Sequence, residues 1–284
     1  MRPCRQHHRA SARYQIPPRR ARGPRRRRHA LRPRRRRGPF PHARRPEARE
    51  HRPGLTQPAN ADDMDPFHLT GTAGLQAGSL YCIGRNYAEH AKELQNAIPE
   101  EPMVFLKPRS SLVMGGGDVR LPARSKDVHH EVELVLVIDR VTRGVSVENA
   151  LESVGYVCVG IDFTARDIQS KAKSKGHPWS VAKGFDTFAP VSSCIPVAEA
   201  GDLQNLTLEL TVNGQVRQSG CTCDMLFDCA TLISHLSGIF TLHPGDLLFT
   251  GTPEGVSAVH AGDTVRADLG GGLCQLTVDI SQGM

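Results

Sequence analysis

Between Val128 and Ile138 the chain reads VHHEVELVLVI, an apolar strand pattern that carries two carboxylates. Successive side chains of a strand point to opposite faces, so Glu131 and Glu133 share one face, about 7 Å apart. Val135 and Val137 continue that face, while Val132, Leu134, Leu136 and Ile138 fill the other. Apolar residues on both faces mark a strand covered on both sides. A carboxylate buried there is costly unless it is paired or bound to a metal. The pattern therefore asks for a fold that brings something cationic to both acids. The alternative, two glutamates facing water at a sheet edge, stays open because most acids are exposed.

Hard divalent cations such as Mg²⁺ take carboxylate oxygens, with water or substrate completing the shell. Glu131 and Glu133 supply two ligands, and Asp162, closing the apolar run YVCVGID, is the candidate third. In GRNYAEHAKE, His90 and Glu93 stand three apart on an expected helix, which places imidazole and carboxylate side by side. A carboxylate on one ring nitrogen raises the basicity of the other, a dyad suited to deprotonating water. A surface His beside a Glu has the same spacing, so this signal alone is weak. Lys107 in FLKP and Lys183 in VAKGF are candidates for holding a substrate carboxylate or a developing oxyanion. Each could equally be a lysine with its stem buried and its head in water. GTPEGV lacks the Gly-Lys-Ser/Thr ending of a phosphate loop, so nucleotide binding is unsupported.

Elsewhere the pattern gives strands in SLYCIGRNY, PMVFLKP and Val157 to Phe163. Helices are expected over Ala88 to Ala97, near Val147 to Val154, and in MLFDCATLISHLSGI. LTLELTVNGQVRQSG reads as a hairpin about Asn213-Gly214, and GDTVRADLGGGLCQLTVDI as a closing one. Strands outnumber helices without regular βα alternation, so the expected class is α+β with a β-rich mixed sheet.

Composition divides the chain. Of 36 basic residues, twenty are arginines within the first 52 positions, where only Glu47 and Glu50 of the 29 acids fall. The remaining 16 basic and 27 acidic residues leave residues 53 to 284 at net −11. Runs such as Arg25 to Arg28, spaced by Pro, cannot build a core, and residues 1–63 are expected to be a disordered tail. Such a tail fits a nucleic-acid-binding arm, an organelle transit peptide, or a start codon placed too early, with Met64 opening the functional product. The last is the expectation, with a catalytic domain over 64–284 and nucleic-acid binding the remote alternative. No apolar run reaches the ~18 residues of a membrane span, and a soluble cytoplasmic protein is expected. The eight cysteines include no CxxC pair and are expected to be reduced thiols. Cys221, Cys223 and Cys229 with His235 could form a zinc set, though the spacing fits no standard finger.

Taken in order, GRNYAEH, EEPMVFLKP, HHEVEL, DFTARDIQ, GHPWSVAKGFDTFAPV, VNGQVRQ and TGTPEGV resemble the fumarylacetoacetate hydrolase family. The match is closest to its short branch of acylpyruvate hydrolases, and runs from about Leu80 to the end. The resemblance implies a β-roll with short helices, usually a homodimer. It implies Mg²⁺ or Mn²⁺ held by Glu131, Glu133 and Asp162, and a mobile lid whose His90 and Glu93 form the base. It places Lys183 at the reacting oxygen, and Arg85, Lys107, Arg166, Gln169 and Thr252 around the ligand. The implied substrate is a 2,4-diketo acid such as acetylpyruvate or fumarylpyruvate, cleaved by water to pyruvate and a carboxylic acid. Oxaloacetate decarboxylation and keto-enol tautomerisation need the same groups and stand as alternatives.

Overall fold

The structure is a computed structural model that describes residues 67–93 and 98–283. The Arg-rich tail and Met64 lie outside these residues. Two mixed sheets carry the fold, in the α+β class expected. The larger has eight strands, running Met103–Lys107, Leu80–Gly84, Leu247–Phe249, Val132–Ile138, Val154–Ile161, Ala189–Val191 and Leu112–Met114, with Ile195–Pro196 also paired to Val154–Ile161. The smaller has five, in the order Gln215–Cys221, Thr207–Val212, Thr264–Leu269, Cys274–Gln282 and Gly117–Leu121. No helix among the described residues is long and apolar enough to cross a membrane.

The Val132–Ile138 strand is buried at every position, and its two faces serve different cores. Val132, Leu134, Leu136 and Ile138 pack with Leu208, Leu210, Val265, Leu276 and Val278 of the smaller sheet and Leu232, Ile233 and Leu236 of the Cys229–Ile239 helix. Val135 and Val137 join Leu80, Cys82, Cys158, Leu247 and Phe249 on the other side. Solvent exposure of the two glutamates at a sheet edge is thereby excluded: strands flank them on both sides, and both are buried.

The expected single strand from Val128 is split into Val128–His129 and Val132–Ile138. At the break the chain turns to another neighbour, the His130 N–H donating to Ser257 O at 3.2 Å while His129 bridges Ala258. The register against the adjacent strand nevertheless continues through it. Val132 pairs Ile161 on one side and His129 pairs Thr164 on the other. Between them the Asp162 N–H donates to Glu131 O at 2.8 Å. Glu131 therefore stands directly across from Asp162, and Glu133 across from Gly160.

Other elements differ from expectation at their ends. The first helix is Ala88–Glu93, and positions 94–97 lie outside the described residues. The second is a single turn, Val147–Ala150, continued as a 3-10 turn over Leu151–Ser153, because Val154 already enters its strand. The hairpin forms as expected, with Asn213 at φ 52° and Gly214 at φ 77°, the left-handed pair a two-residue turn requires. The expectation of reduced thiols is corrected at Cys221 and Cys223, which the structure joins as a disulfide, their Cα atoms brought to 5.1 Å by the Thr222–Asp224 turn. Cys82, Cys158, Cys194, Cys229 and Cys274 are free and buried.

Gly160 is the one position opposite Glu133, and it has no room for a side chain. A Cβ there would lie 2.7 Å from Phe249 Cε1 and 2.8 Å from Val135 Cγ2. Gly160→Ala is expected to lower the free energy of unfolding by about 1–3 kcal/mol through overpacking, read as a shift in the denaturant midpoint.

Candidate active site

The register just described gathers three acids. Glu131 and Glu133 share a face, Asp162 joins it from across the ladder, and one oxygen of each lies within 4.8 Å of the others. Among the described residues this is the one group of three or more His, Cys, Asp or Glu side chains placed to hold a metal. The Cys221, Cys223, Cys229 and His235 set does not form.

Cations converge on two of the acids. Lys183, ending the Ser180–Lys183 turn of helix, donates to Glu131 Oε2 at 2.8 Å and to Asp162 Oδ2. Arg166, opening the Arg166–Ser174 helix, donates to Glu131 Oε1 and to Gln169 Oε1, the latter at 2.9 Å. Lys107 lies behind Asp162, its Nζ 2.7 Å from Oδ1. It also donates to the carbonyls of Phe163 at 3.0 Å, Phe188 at 2.8 Å and Lys183. With its side chain fully buried and its ammonium occupied, Lys107 does not line the cleft. The structure thus moves it from the ligand to the support of Asp162 and of the Lys183 backbone.

Glu133 differs from its neighbours. Among the described residues its one hydrogen-bond partner is the Gly251 N–H, 2.7 Å from Oε2. Gly251 sits at φ 101°, and a Cβ there would come within 2.7 Å of Asn86 Cβ, so only glycine delivers this donor. Burial, with Asp162 and Glu131 close by, pushes the Glu133 carboxyl well above the usual carboxylate range. Burial acts in the same direction on Glu131, but Lys183, Arg166 and His90 overcome it and hold that carboxyl well below. A nest of three buried oxygen donors with one acid lacking a cation fits a hard divalent ion such as Mg²⁺ or Mn²⁺.

His90 faces this nest from the Ala88–Glu93 helix and is 5 % exposed. Its Nδ1 is 3.5 Å from Glu93 Oε2, which leaves Nε2 as the nitrogen free to accept a proton. Burial lowers the pKa of His90, with Glu131 opposing, so the imidazole is neutral at pH 7. Glu93 has a second role in fixing the helix, because both its oxygens accept from the Gly255 N–H at 3.2 Å. Asn86, at the base of the helix, donates to Thr250 O at 2.8 Å and Phe227 O at 3.0 Å. These ties close the helix over a cavity of about 20 Å³, room for about one water.

The cleft is lined by His90, Glu131, Glu133, Lys183, Arg85, Arg166, Gln169 and Thr252 from the sequence-based set. Glu93, Asp162 and Lys107 stand behind them. Phe105, Lys173 and Trp179 line it as well and were not singled out from sequence. Gln218 was also missed, although it is a hub. It accepts from the Val132 N–H at 3.1 Å, lies 2.9 Å from His130 Nδ1, and donates to Thr252 Oγ1 at 2.8 Å and Pro253 O at 2.9 Å. Its signal was a polar side chain at an inward position of the Gln215–Cys221 strand, 1 % exposed where most of its neighbours face water.

An oxaloacetate tautomerase of Arabidopsis thaliana, named FAHD1, mitochondrial, is 47% identical over 73% of this chain and 92% of its own length. A mitochondrial oxaloacetate decarboxylase of Dictyostelium discoideum is 46% identical over 73% of this chain and 93% of its own. The crystal structure of fumarylpyruvate hydrolase from Pseudomonas aeruginosa, in complex with Mn²⁺ and pyruvate, superposes with a TM-score of 0.74 at 33% identity, covering 81% of this chain and all of that one. The model described as fumarylacetoacetate (FAA) hydrolase C-terminal matches residues 79–281. The chain belongs to the fumarylacetoacetate hydrolase C-terminal family.

Proposed function

We propose that this enzyme acts on oxaloacetate, interconverting its keto and enol forms with the help of a divalent metal. The observation that carries the reading is the division of one small cleft. Acids form one wall, with neutral His90 beside them, and the cations Arg85, Arg166, Lys173 and Lys183 form another, together with Phe105, Gln169, Trp179 and Thr252. That wall suits a substrate with two carboxylates. The tautomerase and decarboxylase relatives, both named for oxaloacetate, support the same choice.

Glu131, Glu133 and Asp162 would hold the metal, which when bound would draw electron density from the 2-oxo group and so acidify the neighbouring C3–H. His90 Nε2 removes that proton, with Glu93 orienting the ring through Nδ1. The Lys183 ammonium, its Nζ 4.7 Å from the centre of the Phe105 ring, faces the charge that develops on the 2-oxo oxygen. Return of the proton to that oxygen completes the enol, so atoms and charge balance without water. The closed Ala88–Glu93 helix limits solvent, which protects the intermediate from stray protonation.

Hydrolysis of acylpyruvates is the second reading, favoured by the fumarylpyruvate hydrolase likeness and by a dyad that can equally deprotonate a water. Rates on oxaloacetate, acetylpyruvate and fumarylpyruvate, each with Mg²⁺ and with chelator, separate the two. The proposal expects oxaloacetate enolisation to dominate and to vanish on chelation. Faster turnover of either acylpyruvate, or activity indifferent to chelation, sinks it.

Further outcomes are expected. His90→Ala should slow enolisation about 10²- to 10⁴-fold, while decarboxylation of oxaloacetate, which needs no proton abstraction, persists. Because the His90 pKa is lowered, the neutral base is present above it, and activity should be lost as pH falls through a value below 6.5. Glu93 raises that pKa, so Glu93→Gln should carry the acid limb to still lower pH. Mg²⁺ or Mn²⁺ at a hundredfold excess over its Kd should stabilise the fold by about 2.7 kcal/mol, read as a rise in Tm. Glu133→Gln should abolish most of that rise.

A further inference from the structure

Arg166, Gln169 and Lys173 follow one another at spacings of three and four along the Arg166–Ser174 helix, so all three present to the same side. All three line the cleft. The first two are committed: Arg166 to Glu131 and Gln169, and Gln169 to Arg166. Lys173 is different. Its ammonium rests 5.1 Å from the centre of the Trp179 ring, and Trp179 is itself propped by Phe105 at 5.8 Å. The lysine is only partly exposed. Yet neither Lys173 nor its strongest charged neighbour, Arg85, forms an ion pair or a side-chain hydrogen bond with a described residue. Arg85 Nε is buried without a partner. Burial, with Arg85, Arg166 and Lys183 nearby, brings the Lys173 pKa down to about 8.

Two half-buried cations without a hydrogen-bonded counterion among the described residues leave an imbalance of charge that a protein-borne acid could have relieved. Among the described residues Glu131 and Glu133 are the only acids lining this cleft, and both belong to the acidic nest. We propose that Lys173, held over Trp179, and Arg85 form the seat for the second carboxylate of a dicarboxylic 2-oxo acid. This deepens the oxaloacetate reading and rests on it. One end of the substrate meets the Glu131, Glu133 and Asp162 nest, and the other meets this pair. An acylpyruvate with a neutral tail leaves both cations unpaired, and a site built for a charged group rejects the analogue that lacks it.

The test is the ratio of kcat/KM for oxaloacetate to that for acetylpyruvate, measured with Mg²⁺ on the full chain. Lys173→Met should lower the ratio about tenfold or more, and Lys173→Arg should restore most of it. Equal losses on both substrates, or an unchanged ratio, overturn the proposal. Binding of two unreactive probes, 2-oxoglutarate and 2-oxopentanoate, is measured alongside by calorimetry. The wild-type protein should prefer the dianion about tenfold, and Lys173→Met should not. If oxaloacetate proves not to be a substrate but the dianion preference and its loss are seen, the carboxylate seat stands and the oxaloacetate reading fails. If oxaloacetate is turned over while wild type binds both probes alike, the seat fails and the reaction stands.

Discussion

The site depends on one cross-strand pair. Glu131 and Asp162 face each other where the ladder between their strands pauses, and Lys183 joins them from above. Neither acid would tolerate its burial alone. Lys107 supports Asp162 from below while tying three separate carbonyls together. Removing one member of such a group leaves uncompensated buried charge, a larger penalty than the group's net contribution to stability. The geometry is thereby locked for binding more than for folding.

Against this locked centre stands a closing element of weaker attachment. The Ala88–Glu93 helix has under two turns, too short to be stable by itself. It is held by Asn86 at its base and by the Glu93 carboxylate on the Gly255 N–H. Because the same carboxylate faces the His90 ring, fixing the helix and orienting the imidazole rest on one side chain. A ligand larger than the small cavity beneath the helix can be seated only when those contacts shift.

Much of the fold was legible. Alternation in Val128 to Ile138 identified both the burial and the two faces, because period two is a local property. Asn213-Gly214 marked its hairpin for the same kind of reason. Helix ends were less legible: the second helix gives way after Ala150 to a 3-10 turn because Val154, just beyond it, is claimed by a strand pairing with Ile138. The disulfide between Cys221 and Cys223 depends on a tight turn that composition does not reveal.

The sequence by itself determined which residues share a strand face or a helix side, and with the family resemblance it named the acids, the base and the cations. Only the tertiary structure decided their distribution. It placed Asp162 directly across the ladder from Glu131, put Lys107 behind the site instead of in it, and made Gln218 the link between His130 and the Thr252 loop. Lys173 and Trp179, ordinary in sequence, became one wall of the cleft. The reason is physical: periodicity acts over a few residues, whereas charge compensation in a buried site acts across whatever chain segments the sheet brings within a few ångströms.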